Sequence, residues 1–170
     1  GEGAAKKIVE LLKLAGKTGA PVVAMADSAG ADLNEGAKAL NAYARIMKET
    51  AALSGVVPQI SLILGPCAGG AAFVPELTDV VIAVEKIGQM FVTGPQVVSA
   101  RTGRNVTAED LGGAKKLVAS GAAQIAVASE DEAFAMARRV LSFLPDNNQE
   151  DAQLVSADDL NRQLDIDTYY

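Results

Sequence analysis

Residues Ser54–Asp79 read SGVVPQISLILGPCAGGAAFVPELTD, and the order of residue types within them decides the fold class. Gln59–Leu64 (QISLIL) is a nearly continuous apolar run and reads as a strand buried on both faces, the pattern of a parallel sheet covered by helices. Gly65-Pro66-Cys67-Ala68-Gly69-Gly70 follows at once, and residues this small let other atoms approach the backbone closely. Ala71–Leu77 then reads as a short helix. A buried strand, a run of tiny residues and a helix start make a unit at whose carboxyl end open α/β sheets bind their ligands.

The same grammar extends in both directions. Upstream, Ala4–Leu14 places Ile8, Leu11 and Leu12 at helical spacing among lysines and Glu10, and Gly16 is the expected stop. Pro21–Ala26 reads as a further strand buried on both faces. Asp27–Glu35 (DSAGADLNE) is a loop of small residues leading into a helix over Glu35–Leu53, closed by Ser54-Gly55. Downstream, Val80–Val84 (VVIAV) is a strand, and Thr93-Gly94-Pro95 opens a short helix. Thr107-Ala108-Glu109-Asp110 has the form of a capping box, and Gly112-Gly113 introduces a helix to Ala119. Gln124–Ala128 is a fourth strand, and Ser129 with the acids behind it caps a helix running to Leu144 before Pro145. Strands alternating with helices predict an α/β domain with a parallel sheet. From Asp146 the composition turns polar and acidic, so residues 146–170 are expected to be a linker or tail beyond a domain over residues 1–145.

Composition removes whole classes of function. With 49% hydrophobic residues and a net charge of -6 over 170 residues, the chain is no disordered segment, and the prior is one domain. A core can bury roughly two-thirds of the unfolded surface at this length. Aromatic residues are 4% and glycines number 16, so packing relies on small side chains and close backbone approach. The acidic balance, 21 Asp and Glu against 15 Lys and Arg, argues against nucleic acid or an anionic membrane as partner. Cys67 stands alone and no signal-peptide pattern opens the chain, which predicts a reducing compartment and a cytoplasmic protein. No apolar run approaches the roughly 20 residues of a membrane-spanning helix. Histidine is absent, which removes imidazole acid–base chemistry, Ser-His and Cys-His nucleophiles and His-ligated metals.

Two strand-to-helix junctions carry the candidate chemistry, Ser28-Ala29-Gly30-Ala31 and Cys67-Ala68-Gly69-Gly70-Ala71. Either alone reads as a tight turn. Two of them facing each other would offer unpaired helix-start N–H groups to one oxygen bearing negative charge, which is an oxyanion hole. Other signals are weaker. Gly16-Lys17-Thr18 lacks the earlier glycine of a phosphate-binding loop because position 11 is Leu11, and no G-x-S-x-G elbow occurs. Cys67, with no histidine to activate it, reads as a small buried hydrophobe. Asp27, Asp32 and Glu35 serve either as a general base or, by preference, as caps of the following helix. Arg138 and Arg139 complement their helix dipole.

At these junctions the sequence resembles the carboxyltransferase subunits of biotin-dependent enzymes, the propionyl-CoA and methylmalonyl-CoA carboxylase beta type, and related decarboxylase subunits. The resemblance is carried by PVVAMADSAGADLNEG (Pro21–Gly36), Ser54–Asp79, MFVTGPQVV (Met90–Val98), VTAEDLGGAKKLVASG (Val106–Gly121) and LSFLPDNN (Leu141–Asn148). These stretches occur in family order across about residues 3–148. It implies a crotonase-type or ClpP-like superhelix of β-β-α turns, present here as a partial domain. Carried over by position, the backbone N–H groups of Ala31 and Gly70 would hold the thioester oxygen of an acyl-CoA as its enolate forms. Ala29, Gly30, Gly69 and Ala71 would line the substrate. The family usually shows Gly-Gly-Ala-Arg where this chain has Ala29-Gly30-Ala31-Asp32, and often a histidine within the region matching Lys115–Gln124, where there is none.

The expected activity is transfer of a carboxyl group between carboxybiotin and the α carbon of a short-chain acyl-CoA. The expected partners are the acyl-CoA, a biotin carrier protein, a second, biotin-binding carboxyltransferase half and further copies of the chain. The resemblance covers the amino-terminal, acyl-CoA-binding half, so the chain is read as a fragment or one subunit of a split enzyme, inactive by itself. The alternatives are the decarboxylase direction, a crotonase-type hydratase or isomerase with Asp32 and Glu76 as acids, and a CoA-binding assembly module without catalysis.

Overall fold

The computed structural model describes residues 1–152. Its architecture follows from one strand, β2 (Gln59–Ala68), flanked by β1 (Val22–Ser28), β3 (Val80–Val84) and β4 (Gln89–Phe91), with β5 (Ile125–Val127) beyond β3. Every strand pairing is parallel. β2 holds β1 along one edge, while on the other edge it pairs with β3 over Ile60–Ile63 and with β4 over Pro66–Ala68. The expected strand end at Leu64 is therefore too early. The strand carries on through Gly65-Pro66-Cys67-Ala68 because β4 supplies a new partner where β3 leaves.

Period-two alternation assigns the side chains of β2 and β3 to two cores. Ile60, Leu62, Ile82 and Val84 point to one face, where Ala133 and Ala137 of α6 (Glu130–Leu141) cover them. Ile63, Cys67, Val81 and Ala83 point to the other, against Ala71, Ala72, Met90 and the helix α5 (Ala114–Ser120). Leu62, Ile63, Ile82 and Ala83 are wholly buried. Burial of each such aliphatic side chain of leucine size contributes roughly 1.5–3 kcal/mol. A third cluster joins Ala5, Val9 and Leu12 of α1 (Glu2–Thr18) to Ala42 and Ile46 of α2 (Ala37–Ala52).

Several expectations need correction. β1 is not buried on both faces: Val23 is 39% and Met25 65% exposed, while Val22, Ala24 and Ala26 are half-buried. It lies at the edge of the sheet, and no described element covers its outer face. α1 runs through Gly16 to Gly19, which caps it in a left-handed conformation (φ 69°) with its N–H on the Ala15 carbonyl. An interior glycine weakens a helix by about 1 kcal/mol and does not stop it. The short helix over Ala71–Leu77 is instead two 3-10 turns, Gly69–Phe73 and Pro75–Leu77, since Pro75 has no N–H with which to continue the first. α6 ends at Leu141, three residues short of the expected Leu144.

The capping expectations hold. Thr107 and Asp110 form a reciprocal box at the start of α4 (Ala108–Gly112), and Ser129 accepts the Glu132 N–H at the start of α6. α3 (Pro95–Thr102) starts at Pro95. Beyond Pro145, Asn147 Nδ2 donates to the Gly19 carbonyl (3.2 Å) and the Asn148 N–H to that of Val56 (3.0 Å). Residues 153–170 of the expected tail lie outside the described residues. Among the described residues no helix is long and apolar enough to cross a membrane.

Candidate functional site

Because β1 and β2 are parallel neighbours, their carboxyl ends emerge side by side, with Ser28 opposite Cys67. The register shifts between Ala26 and Ser28, where two steps along β1 match four along β2 (Ile63 to Cys67). The two junctions singled out in the sequence thereby meet. Gly30 adopts φ +105°, and a Cβ on it would stand 2.8 Å from the Ala68 carbonyl oxygen, so only glycine fits there. Gly69, at φ +61°, turns β2 into the first 3-10 turn. The N–H groups of Ala31 and Gly70 donate to no acceptor among the described residues. Ala31, Gly30, Gly69 and Gly70 are half-buried, Ala29 is exposed, and Ala71 packs into the core.

A cavity of about 630 Å³ opens beside this meeting point, between β1, α1 and α2. Of the six residues assigned from the sequence, Gly30 and Ala71 line it, together with Ser28, Tyr43 and Cys67. Cys67 is 1% exposed, and burial pushes its thiol up to about 11, so it stays protonated at neutral pH.

Two of the acids, Asp32 and Glu35, are occupied with structure. Asp32 Oδ1 accepts the Asn34 N–H (3.0 Å) and caps a 3-10 turn over Leu33–Glu35. Glu35 reaches back to the Glu2 N–H (2.7 Å), where it satisfies an open donor at the start of α1. Asp27 and Glu76 are exposed. No cluster of acids and Cys67 among the described residues has the form of a metal site.

Tyr43 was not legible as a site residue. It projects from α2, its ring lies beside Gly70, and its hydroxyl is 3.3 Å from Ser28 Oγ. The available signal was weak: Tyr43 is the one aromatic residue of α2.

A parallel sheet whose central strand changes partners, with two glycine-rich junctions meeting at adjacent strand ends, is the architecture of a crotonase-type α/β domain. The chain belongs to the carboxyl transferase domain family, whose model matches residues 1–169. It is 51% identical over 160 residues to the methylmalonyl-CoA decarboxylase alpha subunit of Veillonella parvula, covering 94% of this chain and 31% of that one. It is 48% identical over 149 residues to the propionyl-CoA carboxylase beta chain of Saccharopolyspora erythraea, covering 87% and 27%. The solved transcarboxylase 12S structure, described as a hexamer assembly with hydrolysed methylmalonyl-CoA bound, superposes with a TM-score of 0.89 at 44% identity, covering 94% of this chain and 31% of that one. The chain thus spans about a third of the length of the relatives it matches.

Proposed function

We propose that this chain forms the acyl-CoA-binding part of a biotin-dependent carboxyltransferase, with the Ala31 and Gly70 amides as the oxyanion hole for the substrate thioester. The observation that carries the reading is the close approach of Gly30 to the Ala68 carbonyl. It brings the two junctions together while leaving both neighbouring N–H groups open. When the bond from the α carbon to its carboxylate or proton breaks, the electron pair moves into the thioester and charge gathers on its oxygen. Two fixed amides stabilise that charge, each by about 2.7–4 kcal/mol, without reorganising. Loss of the carboxylate as carbon dioxide needs no base, and in the opposite direction the α proton would go to biotin, so neither direction requires a side-chain base from this chain, in keeping with the absence of histidine and a protonated Cys67.

The Ala31 and Gly70 amides are assigned to one carbonyl oxygen, that of the thioester. The ureido oxygen of biotin is assigned to a hole of its own. That hole belongs to a second carboxyltransferase half, and a biotin carrier protein and further copies of the subunit complete the assembly.

Identities of 51% and 50% to methylmalonyl-CoA decarboxylase alpha subunits favour, as a second reading, the same site run in the decarboxylase direction. A hydratase is less well supported, because Asp32 is engaged as a cap and Glu76 is exposed. The test is Gly70→Pro in the complete enzyme, which removes one N–H. Turnover is expected to fall by about 100-fold or more. Unchanged turnover in a folded variant would remove Gly70 from the hole, and CoA binding without turnover in the parent, with every partner supplied, would select an assembly module.

A further inference from the structure

The meeting of the two glycine junctions is braced from the side by one residue. The Tyr43 ring lies against the Gly70 backbone: a Cβ on Gly70 would stand 3.3 Å from Cδ2 and 3.5 Å from Cγ of that ring. The Tyr43 hydroxyl is 3.3 Å from Ser28 Oγ, and Ser28 Oγ accepts the Gly30 N–H at 3.2 Å. Tyr43 thus touches the second junction with its ring and reaches the first through Ser28. Both residues also line the cavity that opens at the site. α2 is held in place by Ala42 and Ile46 packed against α1, while Tyr43 itself packs on the core that holds Ile63 and Cys67 of β2.

Ser28 engages Gly30, the residue that sits over the Ala68 carbonyl and immediately precedes Ala31. Any movement of Ser28 is therefore passed to the direction of the Ala31 N–H. Gly70, the other donor, rests on the ring of the same tyrosine. We infer that Tyr43 is a positioning residue that sets the distance between the Ala31 and Gly70 donors, through its ring on one side and the Ser28 hydroxyl on the other. The inference rests on the reading of those amides as the oxyanion hole. A donor pair tuned to a transition state is sensitive to small displacements, and errors on the order of 1 Å cost about 100-fold in rate. Loss of the hydroxyl alone leaves the ring in place, so a smaller displacement follows.

The experiment uses the complete enzyme with its partners and compares Tyr43→Phe, Ser28→Ala and the double variant. The first readout is kcat and KM for methylmalonyl-CoA. The second is the infrared carbonyl band of bound methylmalonyl-CoA carrying carbon-13 at the thioester carbon. Tyr43→Phe is expected to lower kcat about tenfold with KM within about threefold of the parent, and to move the carbonyl band back towards its position in the free thioester. Ser28→Ala should do the same. The double variant should lose no more than about threefold beyond either single variant, because both break one chain. If Tyr43→Phe does not fold, Ser28→Ala decides the matter by the same readouts.

A variant that keeps kcat within about twofold and leaves the band at the parent position overturns the inference, as do losses that multiply in the double variant. The two failures are separable. A parent enzyme whose bound thioester band does not shift at all refutes the oxyanion hole itself. A parent band that shifts and survives Tyr43→Phe refutes only the brace.

Discussion

Gly30→Ala puts one methyl group at the point where the two junctions touch. At φ +105° an alanine backbone is strained by about 1–3 kcal/mol. Its Cβ would also stand 2.8 Å from the Ala68 carbonyl oxygen, a contact with backbone that cannot rotate away, and overpacking of this kind adds about 1–3 kcal/mol. If the backbone held still, the variant would lose roughly 2–6 kcal/mol of stability. If instead the end of β1 withdrew, the strain would fall and Ala31, the next residue, would carry its N–H away from the oxygen it is proposed to hold. The loss of one such donor lowers turnover by about 100- to 1,000-fold. Thermal unfolding and steady-state turnover of the complete enzyme distinguish the two responses, and every mixture of them leaves a deficit in one or both. Gly121→Ala is the control. It also has a positive φ, 82°, but nothing lies within 4 Å of its added carbon, and it caps α5 away from the junctions. It should lose about 1 kcal/mol of stability and keep its turnover. A Gly30→Ala enzyme with parental turnover and parental melting would refute the claim that this contact holds the site together.

Cys67→Ala should retain turnover within about tenfold, since a buried thiol that stays protonated is no nucleophile; a loss beyond about 100-fold in a folded variant would show that the sulfur reacts. The raised thiol value gives a pH dependence. Folding favours the protonated form, so its contribution is complete below the ordinary value of 9.0 and declines as pH rises towards about 11. Denaturant titrations should show a loss of order 2–3 kcal/mol across that window in the parent and a smaller loss in Cys67→Ala. Thr107→Ala should lower stability by about 1 kcal/mol without a change in KM, because its hydroxyl caps α4 outside the cavity. The isolated chain, incubated with methylmalonyl-CoA and free biotin, should transfer no carboxyl group until the complementary half is added, and equal rates with and without that half would contradict the single-hole reading.

β2 and β3 were legible because a strand buried on both faces declares itself by composition alone, as QISLIL and VVIAV do. β1 was legible as a strand but not in its burial. Whether Val23 and Met25 are covered depends on which element packs over them, and a six-residue apolar run carries no record of that. β4 escaped notice because Gln89–Phe91 is too short to show a period and exists only as the partner β2 needs after β3 turns away. The same tertiary event extends β2 through GPCA, a run whose composition suggests a turn. For the site, the two glycine junctions could be found one at a time from their small residues, and parallel pairing of adjacent strands supplies their meeting. Tyr43 could not be found in this way. Its link to Ser28 and Gly70 crosses between an α2 side chain and two strand ends, and no spacing along the chain encodes it.

The proposed oxyanion hole places one carbonyl oxygen between the Ala31 and Gly70 amides. A crystal structure of the complete enzyme with a non-hydrolysable acyl-CoA tests it directly. The thioester oxygen is expected at about 2.7–3.1 Å from both nitrogens. A thioester carbonyl bound elsewhere, with the Ala31 and Gly70 amides facing solvent or other protein groups, would contradict it.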